Sequence, residues 1–195
     1  MEVAFASQAL RESEYCGDQV GFWICDSLAT LCVADGLGHG PHAEHAAKEI
    51  MGYVGHNLGA PSQAIFSGAD QAARQTRGAA VGLVLADLQG QTLTYAAVGN
   101  TRVFLLERAD RSPKDFQNTN GIVGAGYQKL QVETVSFQPG DLLFLYTDGF
   151  PARADLASLR SRERHPKEIA AEFLERFALG TDDAAVLVAR LGALG

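Results

Sequence analysis

ADGLGHGPH, at residues 34 to 42, joins an apolar strand to a helix through a glycine-rich turn. Before it, ATLCVA (29 to 34) is typical of a buried strand, and VGFWIC (20 to 25) is typical of a partner strand. Asp26 and Ser27 separate these two runs at the place where a tight turn is needed. The pattern predicts a β-hairpin whose second strand ends at the glycine-rich turn.

Three segments carry the apolar spacing of a helix with one buried face. They are residues 43–57, a segment after Pro61 that buries Ile65, Ala69 and Ala72 and stops before Gly78, and residues 166–179. Prolines stand at the start of the second and third segments, which suits the first turn of a helix. We therefore expect three helices, placed as separate blocks along the chain.

The remaining apolar runs predict strands. They lie at residues 79–86, 92–98, 102–107, 130–137, 141–147 and 184–191. The first three are expected to form an antiparallel meander, with Gly90 and Gly99-Asn100 at the turns. The polar segment 108–128 is expected to be a surface loop or a mobile flap. Strands in runs with separate helices predict one α+β layered domain over residues 1–195, rather than a parallel βαβ sheet.

Composition and charge limit the possible functions. At 195 residues and 47% hydrophobic residues, the chain can bury one sizeable core. A net charge of −7 argues against nucleic acid and anionic membranes as partners, because both attract a basic excess. No apolar run reaches the roughly 18 residues of a spanning helix, and the N-terminus lacks the basic and apolar regions of a secretion signal. We therefore expect a cytoplasmic protein.

Aspartates recur at the ends of apolar strands, next to residues that let the backbone turn. Asp35 and Asp148 follow such strands and precede glycines, and Asp182 and Asp183 precede the last strand. One Asp-Gly pair usually marks only a turn, so the recurrence is what points to chemistry. A carboxylate at the end of a buried strand is costly unless it meets a cation, and no lysine or arginine stands beside these residues. Shared Mg²⁺ or Mn²⁺ ions are the expected partners, since both prefer oxygen ligands.

A nucleotide-binding loop is the competing interpretation of the same region. Gly36, Gly38 and Gly40 lie between a strand and a helix, where a glycine-rich loop can cradle phosphates. The spacing is GxGxG rather than GxGxxG, and Asp35 would repel a pyrophosphate in the absence of a metal. We therefore disfavour this interpretation.

The order of five motifs resembles that of the PPM (type 2C) metal-dependent serine/threonine phosphatases. The motifs are GDQ at 17–19, ADGLGHG at 34–40, VGNTRVFLL at 98–106, YTDGF at 146–150 and GTDDAAVLV at 180–188. They cover almost the whole chain. Their form and the short length are most similar to the bacterial regulatory branch of RsbX-like, SpoIIE/RsbU-type phosphatases.

That resemblance implies an αββα sandwich of two mostly antiparallel sheets flanked by helices, with two Mn²⁺ or Mg²⁺ ions in a cleft. By motif, Asp35 would bridge the ions, and the Gly36 carbonyl, Asp148 and Asp182 would complete the metal sites. Asp18 would act through a metal-bound water, while Asp183 would support the ligands from behind. The resemblance makes Asp35 and Asp18 catalytic, together with His39 as the candidate proton donor.

Two positions depart from the eukaryotic members. Those enzymes hold the substrate phosphate with an arginine shortly before the first acidic motif, whereas Arg11 here lies seven residues before Asp18. They also have histidine directly after the metal-binding glycine, where this chain has Leu37. His39 could protonate a leaving alkoxide or could hydrogen-bond within the glycine-rich turn, and the sequence leaves both open.

The resemblance implies hydrolysis of phosphoserine or phosphothreonine on STAS-domain stressosome scaffold proteins by a monomeric enzyme. A basic stretch with Arg160, Arg162 and Arg164 could steer such a partner, or could be a solvated linker. A metal-free binding module of the same fold is the alternative. The acidic residue at every metal-motif position argues against that alternative.

Overall fold

The computed structural model describes residues 1–108, 113–159 and 164–192. Within these ranges the chain forms twelve β-strands and three α-helices. The strands β1 to β12 are Glu2–Gln8, Asp18–Cys25, Leu28–Gly36, Ala79–Asp87, Thr92–Val98, Arg102–Leu106, Lys114–Asp115, Gly121–Ile122, Gly126–Tyr127, Val132–Ser136, Leu142–Tyr146 and Ala184–Arg190. The helices α1 to α3 are Pro41–His56, Ser62–Ala72 and Pro166–Phe177.

Two five-stranded antiparallel sheets pack face to face. The strand order is β1-β12-β11-β6-β7 in the first sheet and β10-β5-β4-β3-β2 in the second. Their facing sides bury aliphatic side chains, including Leu31, Val84, Leu143 and Leu187, that are almost fully shielded from water. Burial of this apolar surface is what holds the two sheets together.

The helices cover the two outer faces of the sandwich. α1 and α2 pack on the second sheet around Ile50 and Phe66, and α3 packs on the first sheet around Phe173. The layers therefore run helix, sheet, sheet, helix, and the predicted αββα sandwich is confirmed. In the described ranges, none of the helices has the length and apolar character needed to cross a membrane.

The helix predictions hold with small shifts. α1 begins at Pro41, two residues before the predicted start, because Gly40 with φ 80° ends the loop and proline suits the first turn. α2 ends at Ala72, well before Gly78, and the expectation that Ala72 is buried is wrong. Ala73, one residue later, fills that place in the core.

The predicted meander is wrong at its third strand. β4 and β5 pair in the second sheet, but β6 pairs with β11 and belongs to the first sheet. The turn at Gly99-Asn100 is thus a crossover between sheets. The local sequence does not decide between the two pairings of β6. Because β5 and β6 are both apolar, β6 would be buried in either sheet.

Two regions of the structure differ from the prediction made from the sequence. β1 had not been predicted as a strand, although it pairs with β12 along its whole length. The polar segment 108–128 forms β7 and a small hairpin, β8-β9, while residues 109–112 lie outside the described ranges. The hairpin joins the core through main-chain hydrogen bonds of 3.0 Å in both directions between Ala79 and Val123.

Candidate active site

A cleft of about 490 Å³ opens at one end of the sandwich, and three of the predicted aspartates line it. Asp35 lies near the end of β3, Asp148 follows β11, and Asp182 precedes β12. β3 belongs to one sheet and β11 and β12 belong to the other. Packing of the sheets therefore places carboxylates from three distant parts of the chain around one opening.

Asp18 stands behind this lining. It lies directly opposite Asp35 in the β2-β3 ladder and is only 4% exposed. Its Oδ2 accepts a hydrogen bond of 2.5 Å from the Thr147 hydroxyl, which comes from the other sheet. Burial raises the pKa of Asp18 to about 7, and the charges of nearby aspartates add to the effect while the Thr147 hydrogen bond opposes it.

The Asp35 carboxyl is the most strongly perturbed acid in the cleft. Burial first, and then the charges of Asp18, Asp148 and Asp182, raise its pKa to about 9. Partial burial and the charge of Asp182 also raise the pKa of Asp148, while a hydrogen bond with Asp35 lowers it. The positive charge of Arg102 and a hydrogen bond from Asn100 also lower the pKa of Asp148.

The Asp183 side chain binds main-chain N–H groups and does not line the cleft. Its buried carboxylate accepts hydrogen bonds from the main-chain N–H of Leu10 at 2.6 Å and of Gly17 at 2.7 Å. The Gly17 carbonyl in turn accepts a hydrogen bond of 3.0 Å from the N–H of Gly36. Arg11, with φ 52° and an exposed side chain, lies on the loop that Asp183 fixes.

The glycine-rich turn depends on close backbone packing. A Cβ on Gly36 would stand 2.0 Å from the carbonyl oxygen of Ala43 in α1, so this position accepts glycine alone. Leu37 and Gly38 line the cleft. His39 is exposed and lies outside the lining of the cleft. His42 and His45 are exposed on the first turns of α1.

Asn100 and Asn118 shape the cleft, and the sequence analysis assigns neither of them to the site. Asn100 lines the cleft, and its Nδ2 donates a 2.6 Å hydrogen bond to Asp148 Oδ2. Asn118 fixes the crossover that carries Asn100, since its Nδ2 donates to the carbonyls of Gly99 at 2.8 Å and Thr101 at 2.6 Å. For Asn100 the available signal was a polar residue just past the end of an apolar strand, whereas Asn118 carries no such signal.

The ligand chemistry of the cleft fits hydrated Mg²⁺ or Mn²⁺. In the part of the chain that the structure describes, no three His, Cys, Asp and Glu side chains form a complete ligand set. Mg²⁺ needs no such set, because it keeps several waters and binds through one or two carboxylates. The crowded, partly buried carboxyls of Asp35 and Asp148 supply the hard oxygen donors, and their mutual repulsion favours a cation between them.

A larger depression, of about 730 Å³, lies at the opposite end of β11 beside Asp141. The Asp141 carboxylate already accepts hydrogen bonds of 2.7 Å from the main-chain N–H groups of Arg108 and Gln138. Its role is to hold the turn before β11. The chemistry of the molecule therefore concentrates at the aspartate cleft, although that cleft is the smaller of the two.

The basic stretch is described only in part. Arg160 and Arg162 lie outside the described residues. Arg164 forms ion pairs with Glu172 at 2.6 Å and Glu168 at 3.7 Å, both on α3. At Arg164 the positive charge therefore supports the start of α3, and docking by this stretch stays a prediction.

Solved structures with the same architecture belong to PP2C-type phosphatases and stress-signalling proteins. A chain of a bacterial stressosome system that controls secondary messenger signalling has a TM-score of 0.91 and 29% identity, covering 97% of this chain and 98% of that one. RsbX in complex with magnesium has a TM-score of 0.84 and 22% identity, covering 95% and 92%. The PP2C phosphatase domain of SpoIIE from Bacillus subtilis has a TM-score of 0.81 and 21% identity, covering 100% and 64%, so the fold is that of a PP2C-type domain.

Sequence comparison identifies the family. The family model described as Stage II sporulation protein E (SpoIIE) matches residues 26–192. Phosphoserine phosphatase RsbX of Bacillus subtilis (strain 168) is 28% identical over 135 residues, which is 69% of this chain and 67% of the relative. The chain belongs to the SpoIIE family of PP2C-type domains, and the resemblance inferred from its motifs is confirmed.

Proposed function

We propose that this protein is a Mg²⁺- or Mn²⁺-dependent phosphatase that hydrolyses phosphoserine or phosphothreonine on a partner protein. The observation that carries the proposal is the meeting of Asp35, Asp148 and Asp182 around one cleft, with Asp18 directly behind Asp35. Phosphomonoester hydrolysis needs positive charge close to the negatively charged phosphoryl oxygens, and it needs a reactive water. Carboxylates arranged in this way can hold the divalent ions that provide both.

Each acidic residue has a separate part in the proposal. Asp35 would bridge two ions, helped by the Gly36 carbonyl, while Asp148 and Asp182 would hold them from the other sheet. When bound, such ions supply an acidified water and charge neutralisation. Asp18 accepts the Thr147 hydrogen bond and would orient a water of the inner hydration shell. Asn100 holds the Asp148 carboxylate in place.

His39 is the candidate proton donor to the leaving alkoxide. Because it is exposed and outside the cleft lining, it would reach a leaving group only at the rim. His39→Gln tests this role. A general acid predicts slower turnover of phosphoserine peptides with little change for an aryl phosphate, whose leaving group needs no proton. If the variant turns over both substrates at the wild-type rate, His39 does not act as the proton donor and has a role in the loop alone.

A STAS-domain stressosome scaffold is the proposed substrate class. The similarity to a stressosome chain at 29% identity and to the phosphoserine phosphatase RsbX supports this choice. We also propose that the enzyme works in the cytoplasm as a monomer. A panel of phosphorylated STAS proteins, compared with unrelated phosphoproteins at equal concentration, tests the substrate class directly.

Asp35→Asn tests the metal-dependent reaction. The change keeps the shape of the side chain but removes the charge that would bridge two ions, so we expect Mn²⁺-dependent hydrolysis to fall at least about 10³-fold. Calorimetric Mn²⁺ titration gives a second readout and should show weaker binding. Asp26→Asn, in the exposed turn at the far end of β2, is the matched control and should change neither. Near-normal turnover by Asp35→Asn would overturn the assignment, and an inactive wild type that binds no Mn²⁺ would indicate the metal-free binding module.

A further inference from the structure

The Arg77 side chain extends towards the aspartate cleft. Its Nη1 lies 3.1 Å from the point that a Cβ on Gly38 would occupy. Gly38 lines the cleft together with Asp35, Asp148 and Asp182. A guanidinium against this loop adds positive charge at the mouth of an acidic opening.

The backbone around Arg77 is fixed between the two walls of the cleft. The Gly78 carbonyl accepts a 3.0 Å hydrogen bond from the Leu37 N–H on the glycine-rich turn. Gly78 has φ 77°, and a Cβ there would stand 2.6 Å from the carbonyl oxygen of Val123 in the β8-β9 hairpin. Ile122 of that hairpin also lines the cleft. Arg77 therefore directly precedes a residue that contacts both the glycine-rich turn and the hairpin.

The Arg77 guanidinium is uncommitted. Among the residues that the structure describes, none forms an ion pair or hydrogen bond with it, and the side chain is exposed. The neighbouring cations are already engaged. Arg102 donates to the carbonyls of Asn100 at 3.0 Å and Thr101 at 3.4 Å, and Arg74 pairs with Asp70 at 3.8 Å.

We propose that Arg77 binds the phosphoryl group of the substrate at the rim of the cleft. The proposal rests on the phosphatase function proposed above and adds the residue that holds the substrate anion. A planar guanidinium can donate two parallel hydrogen bonds to two non-bridging phosphoryl oxygens, which a lysine cannot reproduce. Arg77 thereby offsets the repulsion between an anionic substrate and the cleft aspartates, and it orients the ester for attack.

Arg11 is the other arginine that could take this role. It lies on the loop held by Asp183, on the β1-β2 side of the site, and its side chain is exposed. Among the described residues, no hydrogen bond or ion pair joins the Arg11 side chain to one that lines the cleft. Arg11→Ala therefore belongs in the same experiment as a direct competitor to Arg77→Ala.

The test compares Arg77→Ala, Arg77→Lys and Arg11→Ala with the wild type at saturating Mn²⁺. Arg74→Ala, which removes an exposed arginine three residues away, is the matched control. We measure kcat and KM on a phosphoserine peptide, the inhibition constant of inorganic phosphate, Mn²⁺ binding by calorimetry, and Tm. Arg77→Ala should raise both KM and the phosphate inhibition constant about tenfold or more, as loss of a charged hydrogen bond does. Arg77→Lys should recover only part of the loss, and Mn²⁺ binding and Tm should stay unchanged.

Three outcomes would overturn the proposal. They are an unchanged phosphate inhibition constant in Arg77→Ala, an equal loss in Arg74→Ala, and a loss that appears in Arg11→Ala instead. A fall in Tm or in Mn²⁺ affinity would show that Arg77 only supports the glycine-rich turn. If the wild type hydrolyses nothing, the phosphatase proposal fails. Calorimetric titration of inorganic phosphate into the Mn²⁺-loaded wild type and Arg77→Ala then still decides whether Arg77 binds the anion.

Discussion

Asp18 and Asp35 lie directly opposite each other in the β2-β3 ladder. Two carboxyls therefore occupy neighbouring positions in a largely buried part of the sheet. Burial raises their pKa values from 3.8 to about 7 and about 9. Like acids directly opposite in a ladder destabilise a sheet when both are charged. The arrangement is stable either when protons are retained or when cations bind, and this dependence can be measured.

The metal-free protein should lose stability as the pH rises. Because the folded pKa values lie above the unfolded value of 3.8, the protonated acids favour the folded state below about pH 4, and this contribution is lost as the pH passes about 7 and about 9. We expect Tm in a chelating buffer to fall from pH 6 to pH 9, and Mg²⁺ to raise Tm more at pH 9 than at pH 6. Asp35→Asn should flatten the pH dependence, and an equally steep profile in that variant would contradict the explanation.

Asp182→Asn and Asp183→Asn should separate activity from stability. Asp183 accepts two main-chain hydrogen bonds in a buried place, and an amide can replace only one of those acceptors. We expect Asp183→Asn to lower the free energy of unfolding by about 2 kcal/mol. Asp182 is exposed in the cleft, so Asp182→Asn should keep stability and lose metal-dependent turnover. Urea unfolding and an aryl phosphate assay on both variants check this prediction. A loss of stability in Asp182→Asn, or full stability in Asp183→Asn, would contradict it.

Gly36→Ala should fail to pack. Its Cβ would meet the Ala43 carbonyl oxygen at 2.0 Å, and the backbone of α1 cannot move away cheaply. We expect a loss of about 3 kcal/mol or more in unfolding free energy, measured in urea. Gly52→Ala, on the exposed side of α1 with nothing within 4 Å, is the control and should gain about 0.5–1 kcal/mol. Equal stabilities of the two variants would show that the close approach of Gly36 to α1 is unimportant.

Asn100→Ala should weaken metal binding without unfolding the protein. The side chain donates to Asp148 Oδ2 at 2.6 Å and so orients a proposed ligand. We expect the Mg²⁺ concentration for half-maximal activity to rise about 10-fold to 100-fold, as loss of a ligand's supporting partner does. Asn57→Ala, which removes an amide at the end of α1, is a control for general loss of an asparagine hydrogen bond. A lower maximal rate with unchanged Mg²⁺ dependence would place the role of Asn100 elsewhere.

The sequence by itself determined the local elements and the chemistry of the acidic positions. Apolar periods predicted α1, α3 and the strands from Leu28 to Gly36 and from Ala184 to Arg190, because a residue pattern follows directly from which face is buried. The strand-end aspartates were also evident, since a carboxylate after a buried run needs a partner. The order of motifs then indicated the family.

Only the tertiary structure decided which strands pair and which polar groups meet. β1 is largely exposed at a sheet edge, and its pairing with β12 joins residues about as far apart as the chain allows, so no local pattern predicts it. The same holds for the crossover at Asn100 and for the approach of Arg77 to Gly38. Strand pairing and side-chain approach across a cleft depend on packing between distant segments. That packing is a property of the folded chain and leaves little trace in the spacing of residues.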